Sequence, residues 1–309
     1  MIIVMLTLVL SIICLVQNQN NNDNQNINIQ KYVNQYDNQY DNQNNNQKYD
    51  GQNNNQKYFM WVYWENVGSA DTPDYIKICL DSVKKYCSHD FELVILNEKS
   101  VHDYIPELKL LNLNNLLIAQ KVDIIRVLLL YKYGGIYIDA DTIVMRSPKE
   151  IVDKLIDYDY VGFGCTGNKC NYGYGRPSNG VMASRKDGVL ISKIKDNLLG
   201  KILDKKKWEY FDLGKYIIWE ELDKLMDNGY KYYHYSNDYD GTRDKYGNWI
   251  ETSKLFSADP IEYNDERKLL FVIMYNSQMD DIRNLDKNYL LNSDLNISKY
   301  MKKSLYGSN

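Results

Sequence analysis

Residues 116–141 constrain the fold of this chain more than any other part of its sequence. Residues 116–133 are mostly apolar and long enough for a helix, and a Gly-Gly pair follows them. Glycine is the usual residue just beyond the C-terminus of a helix, so the helix is predicted to end there. Residues 136–138 form a short predicted strand that runs directly into Asp139 and Asp141. The stretch therefore predicts a helix-to-strand unit with two carboxylates at the strand's end.

Two more predicted strands and a helix precede this unit. Residues 59–64 and 91–96 are apolar runs of strand length, and residues 74–86 carry apolar side chains at helical spacing. Strands that alternate with helices predict an α/β domain with a mostly parallel central sheet and flanking helices. In such sheets ligands bind beyond the carboxyl ends of the strands, and Asp139 and Asp141 lie at one such end.

The first 57 residues do not have the composition of a folded domain. Residues 1–16 include an apolar run that suits either a signal peptide or a membrane anchor. Residues 17–57 are rich in Asn and Gln and contain short repeats, which predicts a disordered stalk. Residues 58–309 then form the folded domain. We expect that domain in the lumen of the secretory pathway, attached to a membrane through its N-terminus, or secreted if the first segment is cleaved.

Charge and cysteine usage exclude some classes of protein. The net charge is −4, and the longest basic cluster is the three lysines at 205–207, so no nucleic-acid partner is expected. Five loosely spaced cysteines do not make a disulfide framework. Cys165 and Cys170 either form one disulfide or stay free thiols. The three histidines are scattered, which argues against a zinc site.

Four charged residues carry the chemistry of the segment. Asp123 and Arg126 interrupt an apolar helix and share one of its faces, because they are three residues apart. Unpaired charges there would be costly, so the two either form a structural ion pair or belong to a site. Asp139 and Asp141 can converge on a hard divalent cation, which would neutralise a diphosphate leaving group. The other Asp-x-Asp triplets lie in polar, loop-like sequence and predict no such site.

The combination of these parts is more specific than any one of them. Asp-x-x-Arg, then a helix, then Tyr-Gly-Gly-Ile-Tyr-Ile-Asp-Ala-Asp resembles the signature of the DXD sugar-transferase superfamily, which includes fungal mannosyltransferases and clostridial glucosylating toxins. Residues 61–65, 73–82 and 91–96 resemble the opening of bacterial capsular polysaccharide synthesis proteins. The resemblance covers residues 58–150 and implies a GT-A-like nucleotide-sugar-binding fold.

The resemblance assigns roles to residues near the predicted strand ends. It implies that Trp61 and Tyr63 flank the nucleotide base, and that Tyr137 lines the nucleotide pocket. It also implies that Asp139 contacts the ribose, or the metal through water, and that Asp141 ligates Mn²⁺ or Mg²⁺. The implied cofactor is thus a divalent cation bound by carboxylates.

The resemblance also implies a reaction. Asp123 and Arg126 would hold hydroxyls of the donor sugar. Asn179 lies in a segment similar to one near the donor sugar in relatives, and a turn asparagine before Gly180 is the alternative interpretation. The implied reaction is hexosyl transfer from a UDP- or GDP-linked donor to a glycan or glycoprotein acceptor, with retention of the anomeric configuration.

The C-terminal part of the chain departs from the family pattern at one position. Residues 270–277 lie where many relatives carry a metal ligand, often His, and this chain has Met274 there. Asn276 or Ser277 would then supply an oxygen ligand instead. Two functions stay open: an active metal-dependent glycosyltransferase, and a catalytically degenerate protein that binds nucleotide sugars or carbohydrate.

Overall fold

The structure is a computed structural model, and it describes residues 57–307 except 112, 165–174, 204–206, 279 and 281–282. The predicted signal or anchor segment, nearly all of the predicted stalk, and both Cys165 and Cys170 lie outside the described residues. The expectations for them stay predictions. Within the part that is described, no helix combines the length and the apolar character needed to cross a membrane.

Strands and helices alternate through the first half of the described chain. The strands are β1 (Tyr58–Tyr63), β2 (Phe91–Leu96), β3 (Gly135–Asp139), β4 (Thr142–Val144), β5 (Tyr160–Gly164), β6 (Pro177–Ser184), β7 (Tyr233–Ser236) and β8 (Phe271–Ile273). The α-helices are α1 (Asp74–Cys87), α2 (Val101–Tyr104), α3 (Ile118–Tyr133), α4 (Lys149–Lys154), α5 (Val189–Leu203), α6 (Lys215–Met226), α7 (Thr252–Leu255), α8 (Lys287–Asn292) and α9 (Asn296–Tyr306). The predicted helices and strands of residues 59–138 are all present, with ends that differ by at most two residues.

Six of these strands form a central sheet in the order β2-β1-β3-β6-β5-β7. The pairs β1–β2, β1–β3 and β5–β7 are parallel, whereas β6 is antiparallel to both β3 and β5. The mostly parallel α/β architecture is therefore confirmed, with one reversed strand. Tyr63 stands opposite both Leu96 and Asp139. The carboxyl ends of β1, β2 and β3 consequently meet at one edge of the sheet.

The two faces of the sheet carry separate cores. Alternate side chains of β1 point to opposite faces, as the two-residue period of a strand requires. Met60 and Val62 pack with residues of α1 and α9, and Trp61 and Tyr63 pack with residues of α3, α5 and α6. Helix α3 contacts the sheet on one side and α5 on the other. This double contact explains its almost continuous apolar sequence.

The Gly-Gly pair ends α3 as predicted. Gly134 caps the helix with a φ of 68°, a left-handed conformation that favours glycine. Gly135 begins β3 with a φ of 98°, and a Cβ there would lie only 2.3 Å from the carbonyl oxygen of Phe59. The pair lets α3 turn back into the sheet, and β3 then delivers Asp139 to the edge where β1 also ends.

Candidate active site

A buried arginine joins the helix to the end of the strand. The Arg126 Nη2 lies 2.8 Å from Asp139 Oδ1, and its Nε lies 3.5 Å from Asp123 Oδ1. The Nη1 also donates to the backbone carbonyl of Asn179. The guanidinium carbon stands 5.0 Å from the centroid of the Tyr137 ring. Arg126 of the Asp-x-x-Arg pair is therefore in direct contact with Asp139 of the Asp-x-Asp triplet. Both motifs belong to the stretch 116–141.

Strand β6 contributes the third element of this cluster. The Asn179 side-chain amide donates a hydrogen bond of 2.7 Å to Asp123 Oδ1. The neighbouring Gly180 lies so close to Asp139 that a Cβ would stand 3.2 Å from its Oδ2. Tyr137 is fully buried, and its hydroxyl has no hydrogen-bond partner within the described residues. Contrary to the expectation, it lies beneath the cluster and does not line the pocket beside Tyr63. Asn179 thus lies in a strand and bonds a predicted site residue, which replaces the alternative of a turn asparagine.

Burial dominates the electrostatics of the three carboxyl groups. It raises the pKa of Asp139 to about 7, and Asp141 adds to that rise while Arg126 opposes it. Burial raises the pKa of Asp123 to about 6, against the effects of Arg126 and Asn179. The pKa of Asp141 is also raised by burial, although the backbone N–H of Asn276 favours its charged form. One guanidinium thus compensates only part of the charge of three carboxylates.

The segment after β8 closes over Asp141. β8 pairs antiparallel with β4, which begins directly after Asp141. The Met274 N–H donates to the Asp141 carbonyl at 3.1 Å, and the Asn276 N–H donates to Asp141 Oδ2. The Asn276 side-chain oxygen accepts a hydrogen bond from the Tyr75 hydroxyl. The C-terminal segment singled out in the sequence therefore meets the Asp-x-Asp triplet.

The donor set around Asp141 suits a hard cation rather than a soft one. Met274 is fully buried, so its side chain belongs to the core and not to the site. Among the described residues, no group of three or more His, Cys, Asp or Glu side chains is arranged to hold a metal ion. Asp139 and Asp141 bear carboxylate oxygens. Asn276, whose backbone N–H contacts Asp141, and the following Ser277 bear a carboxamide oxygen and a hydroxyl. Mg²⁺ and Mn²⁺ prefer oxygen ligands of these kinds.

The two aromatic residues predicted at the nucleotide base are in different surroundings. Trp61 lies in the middle of β1, is fully buried, and donates its indole N–H to the Gly134 carbonyl at 2.9 Å. With no accessible face, Trp61 has no surface to offer a base, contrary to the expectation. Tyr63 ends the strand and lines a pocket of about 550 Å³, beside Glu65 and Lys121. Of the pair, Tyr63 is the residue that faces an open space.

This pocket lies beyond the carboxyl ends of β1 and β2. The Tyr63 hydroxyl donates to Glu65 Oε2 at 2.5 Å, and Glu65 stands 3.7 Å from the Lys121 ammonium. Lys121 and Ile125, which also line the pocket, belong to the same helix as Asp123 and Arg126. The pocket and the carboxylate cluster therefore share α3 as a wall.

Gly214 is a site residue that the sequence did not reveal. It is buried directly before α6. A Cβ at this position would stand 2.5 Å from Asp123 Oδ2 and 2.6 Å from the Asn179 side-chain nitrogen. Nothing in the sequence around Gly214 indicates that it packs against Asp123, because the two residues are 91 positions apart in the chain.

Gly214→Ala is expected to destabilise the protein by about 1–3 kcal/mol, because the new methyl group overlaps Asp123 and Asn179. Urea denaturation measures the change. Gly200→Ala is the matched control: Gly200 lies in α5 with open space around it, so alanine there is expected to stabilise the helix by about 0.5–1 kcal/mol. Equal stabilities of the two variants would contradict the close packing of Gly214 on the cluster.

Comparison with known proteins identifies the family of this chain. The family model described as capsular polysaccharide synthesis protein matches residues 11–292, which is most of the chain. The chain belongs to the capsular polysaccharide synthesis protein family. The resemblance to sugar transferases predicted from the sequence, and with it the assignment as a glycosyltransferase enzyme, is thereby confirmed. Among curated proteins none matches this chain.

Solved glycosyltransferase structures are similar to the chain at low identity. The PaToxG glycosyltransferase is 16% identical, with 56% of this chain and 70% of that one covered and a TM-score of 0.39. GlyE of Streptococcus pneumoniae TIGR4 is 12% identical, with 59% and 46% covered and a TM-score of 0.36. The bifunctional WbbM is 9% identical, with 82% and 50% covered and a TM-score of 0.44. The chain thus spans about half the length of the last two, and family membership rests on the family model.

Proposed function

We propose that this protein is a metal-dependent glycosyltransferase that moves a hexosyl group from a UDP- or GDP-linked donor to a glycan or glycoprotein acceptor, with retention. The observation that carries the proposal is the cluster at the end of β3, where three carboxyl groups lie near one guanidinium and only two of them, Asp123 and Asp139, contact it. Asp123 and Asp141 are 5% and 7% exposed, so water screens their charge poorly. A bound cation would neutralise the remaining negative charge of such a site.

Asp141 is the carboxylate of the cluster whose negative charge is not balanced by contact with Arg126. Asp123 and Asp139 both contact Arg126, whereas no ion pair forms at Asp141 in the described part of the chain. Asp139 and Asp141 would hold Mn²⁺ or Mg²⁺, with Asn276 or Ser277 as a further oxygen ligand. When bound, the cation would stabilise the negative charge that develops on the diphosphate leaving group.

The chain's own residues would hold the donor in place. The pocket that Tyr63 lines would receive the nucleotide base, with Glu65 and Lys121 as its polar groups. Asp123 and Arg126 are fixed by each other and by Asn179, so their free oxygen and N–H groups would bind donor-sugar hydroxyls at a defined orientation. Because these groups are held rigidly before the donor binds, little reorganisation accompanies the reaction.

A second function competes with transfer. The Met274 side chain is buried and supplies no metal ligand, and the described residues hold no three-residue group of His, Cys, Asp or Glu suited to a metal. These observations favour a degenerate site that binds a nucleotide sugar or carbohydrate without turnover. The two functions differ in turnover and not in donor binding.

A panel of UDP- and GDP-sugars separates the two functions. Thermal shift of the wild-type chain, with and without Mn²⁺, is expected to identify one donor that raises the unfolding temperature in a metal-dependent way. Release of nucleotide from that donor is then measured with Mn²⁺ and with EDTA. Metal-dependent release of nucleotide supports the transferase, and donor binding without release supports the degenerate protein. If no donor binds, both functions are wrong.

A further inference from the structure

A row of aromatic side chains begins beside the carboxylate cluster and extends along α6. Tyr210, Phe211 and Tyr216 are 43%, 40% and 45% exposed, and Trp219 is half-buried. Neighbouring ring centroids are 4.9, 5.9 and 5.8 Å apart along the row. Each neighbouring pair meets edge to face, which is a favourable arrangement for aromatic rings in contact. We name these four residues the aromatic row.

The row is continuous with the candidate active site. Burial raises the pKa of the Tyr210 hydroxyl, and Asp123, Asp139 and Asp141 raise it further while Ser277 lowers it, so this ring lies within electrostatic reach of the carboxylate cluster. Gly214, between Phe211 and Tyr216 in the chain, packs against Asp123 and Asn179. At its far end, Trp219 donates its indole N–H to the Pro177 carbonyl at the start of β6. The row therefore leads away from the carboxylates along one path over the surface.

Polar groups alternate with the rings of the row. The Lys215 ammonium lies 3.6 Å from the Phe211 ring centroid and 5.4 Å from that of Tyr216. The Arg176 guanidinium lies 5.5 Å from the Trp219 ring centroid. Aromatic faces bind the apolar C–H faces of sugar rings, while ammonium and hydroxyl groups bond sugar hydroxyls. Arg176 is already paired with Asp223, with 2.5 Å between Nη2 and Oδ2, whereas a purely apolar partner would cover the Lys215 ammonium without offering it a hydrogen bond.

We propose that the aromatic row is the binding surface for the acceptor, and that the acceptor is an oligosaccharide whose successive rings stack on it. The proposal rests on the proposed transferase function, since it places the acceptor next to the donor sugar. The row carries four successive rings, more than a single sugar can stack on, so it fits a chain of linked sugars better than a single sugar. The end of the oligosaccharide at Tyr210 would then face Asp139 and Asp141.

Binding to a microarray of neutral and acidic oligosaccharides of two to six sugars tests the proposal. The wild type is expected to bind a subset of the array, and the strongest ligand is then titrated by calorimetry. Phe211→Ala and Tyr216→Ala are each expected to weaken its binding on the order of 10-fold. Phe211→Tyr keeps an aromatic ring and is expected to retain binding. Tyr306→Ala removes a side chain that is 69% exposed at the end of α9 and serves as the matched control.

Three outcomes would overturn the acceptor surface. The first is that the wild type binds no oligosaccharide. The second is that Phe211→Ala and Tyr216→Ala bind as tightly as the wild type. The third is that the control Tyr306→Ala weakens binding as much as these two variants. Circular dichroism of each variant guards against a loss caused by unfolding. Donor binding by the wild type is measured separately: its absence defeats the transferase function, whereas donor binding without an effect of Phe211 or Tyr216 defeats the acceptor surface alone.

Discussion

Asp141→Asn is expected to reduce sugar transfer on the order of 10²- to 10³-fold, the usual cost of removing one group that stabilises charge in a transition state. The amide keeps the shape of the side chain and can still accept the Asn276 N–H. Burial raises the pKa of Asp141, and this carboxylate forms no ion pair with any described residue, so the variant with the neutral amide is expected to fold normally. The loss would therefore fall on metal binding and not on stability.

Transfer rate and the thermal shift produced by Mn²⁺ are the two measurements for Asp141→Asn. Both are expected to fall together, with the unfolding temperature of the metal-free protein unchanged or higher. Asp157→Asn is the matched control, since Asp157 belongs to another Asp-x-Asp triplet and is exposed. A variant at Asp141 that keeps full Mn²⁺-dependent transfer would show that the metal binds elsewhere or takes no part.

Arg126→Met is expected to destabilise the fold by about 3–5 kcal/mol, the cost of breaking a buried ion pair from one side. Methionine fills much of the space, but it leaves Asp123 and Asp139 near each other without the guanidinium. The Asn179 carbonyl also loses a donor. Urea denaturation of the metal-free protein measures the change in the free energy of unfolding.

Two comparisons separate this effect from a general loss of packing. Arg146→Met removes a half-exposed ion pair with Glu150 and is expected to cost less than about 1 kcal/mol. The double variant Arg126→Met with Asp139→Asn removes one of the stranded charges and should recover part of the lost stability. The free energy of unfolding of Asp139→Asn alone is measured as well. If the two single losses add up to the loss of the double variant, Arg126 and Asp139 are not coupled.

Local sequence predicted the elements around the site because their signals are local. The Gly-Gly stop lies beside the helix that it ends, and the apolar run of β3 touches the triplet that follows it. The contact between Arg126 and Asp139 was not predicted. It forms because α3 turns directly back into β3, which brings the charged face of the helix to the end of the strand. The antiparallel direction of β6 could not be predicted in this way. Its pairing with β3 and β5 depends on how the whole sheet packs, and not on the residues next to β6 in the chain.

The sequence by itself therefore determined the α/β architecture, the position of Asp139 and Asp141 at a strand end, and the family to which the chain belongs. Only the tertiary structure decided which aromatic residue of β1 faces a pocket: Trp61 lies under the helices, and Tyr63 reaches the edge. It also brought Gly214 against Asp123 and the Asn276 N–H against Asp141. The first contact joins two residues that are 91 positions apart in the chain, and the second joins two that are 135 positions apart. They depend on how whole layers pack, which no short pattern of residues encodes.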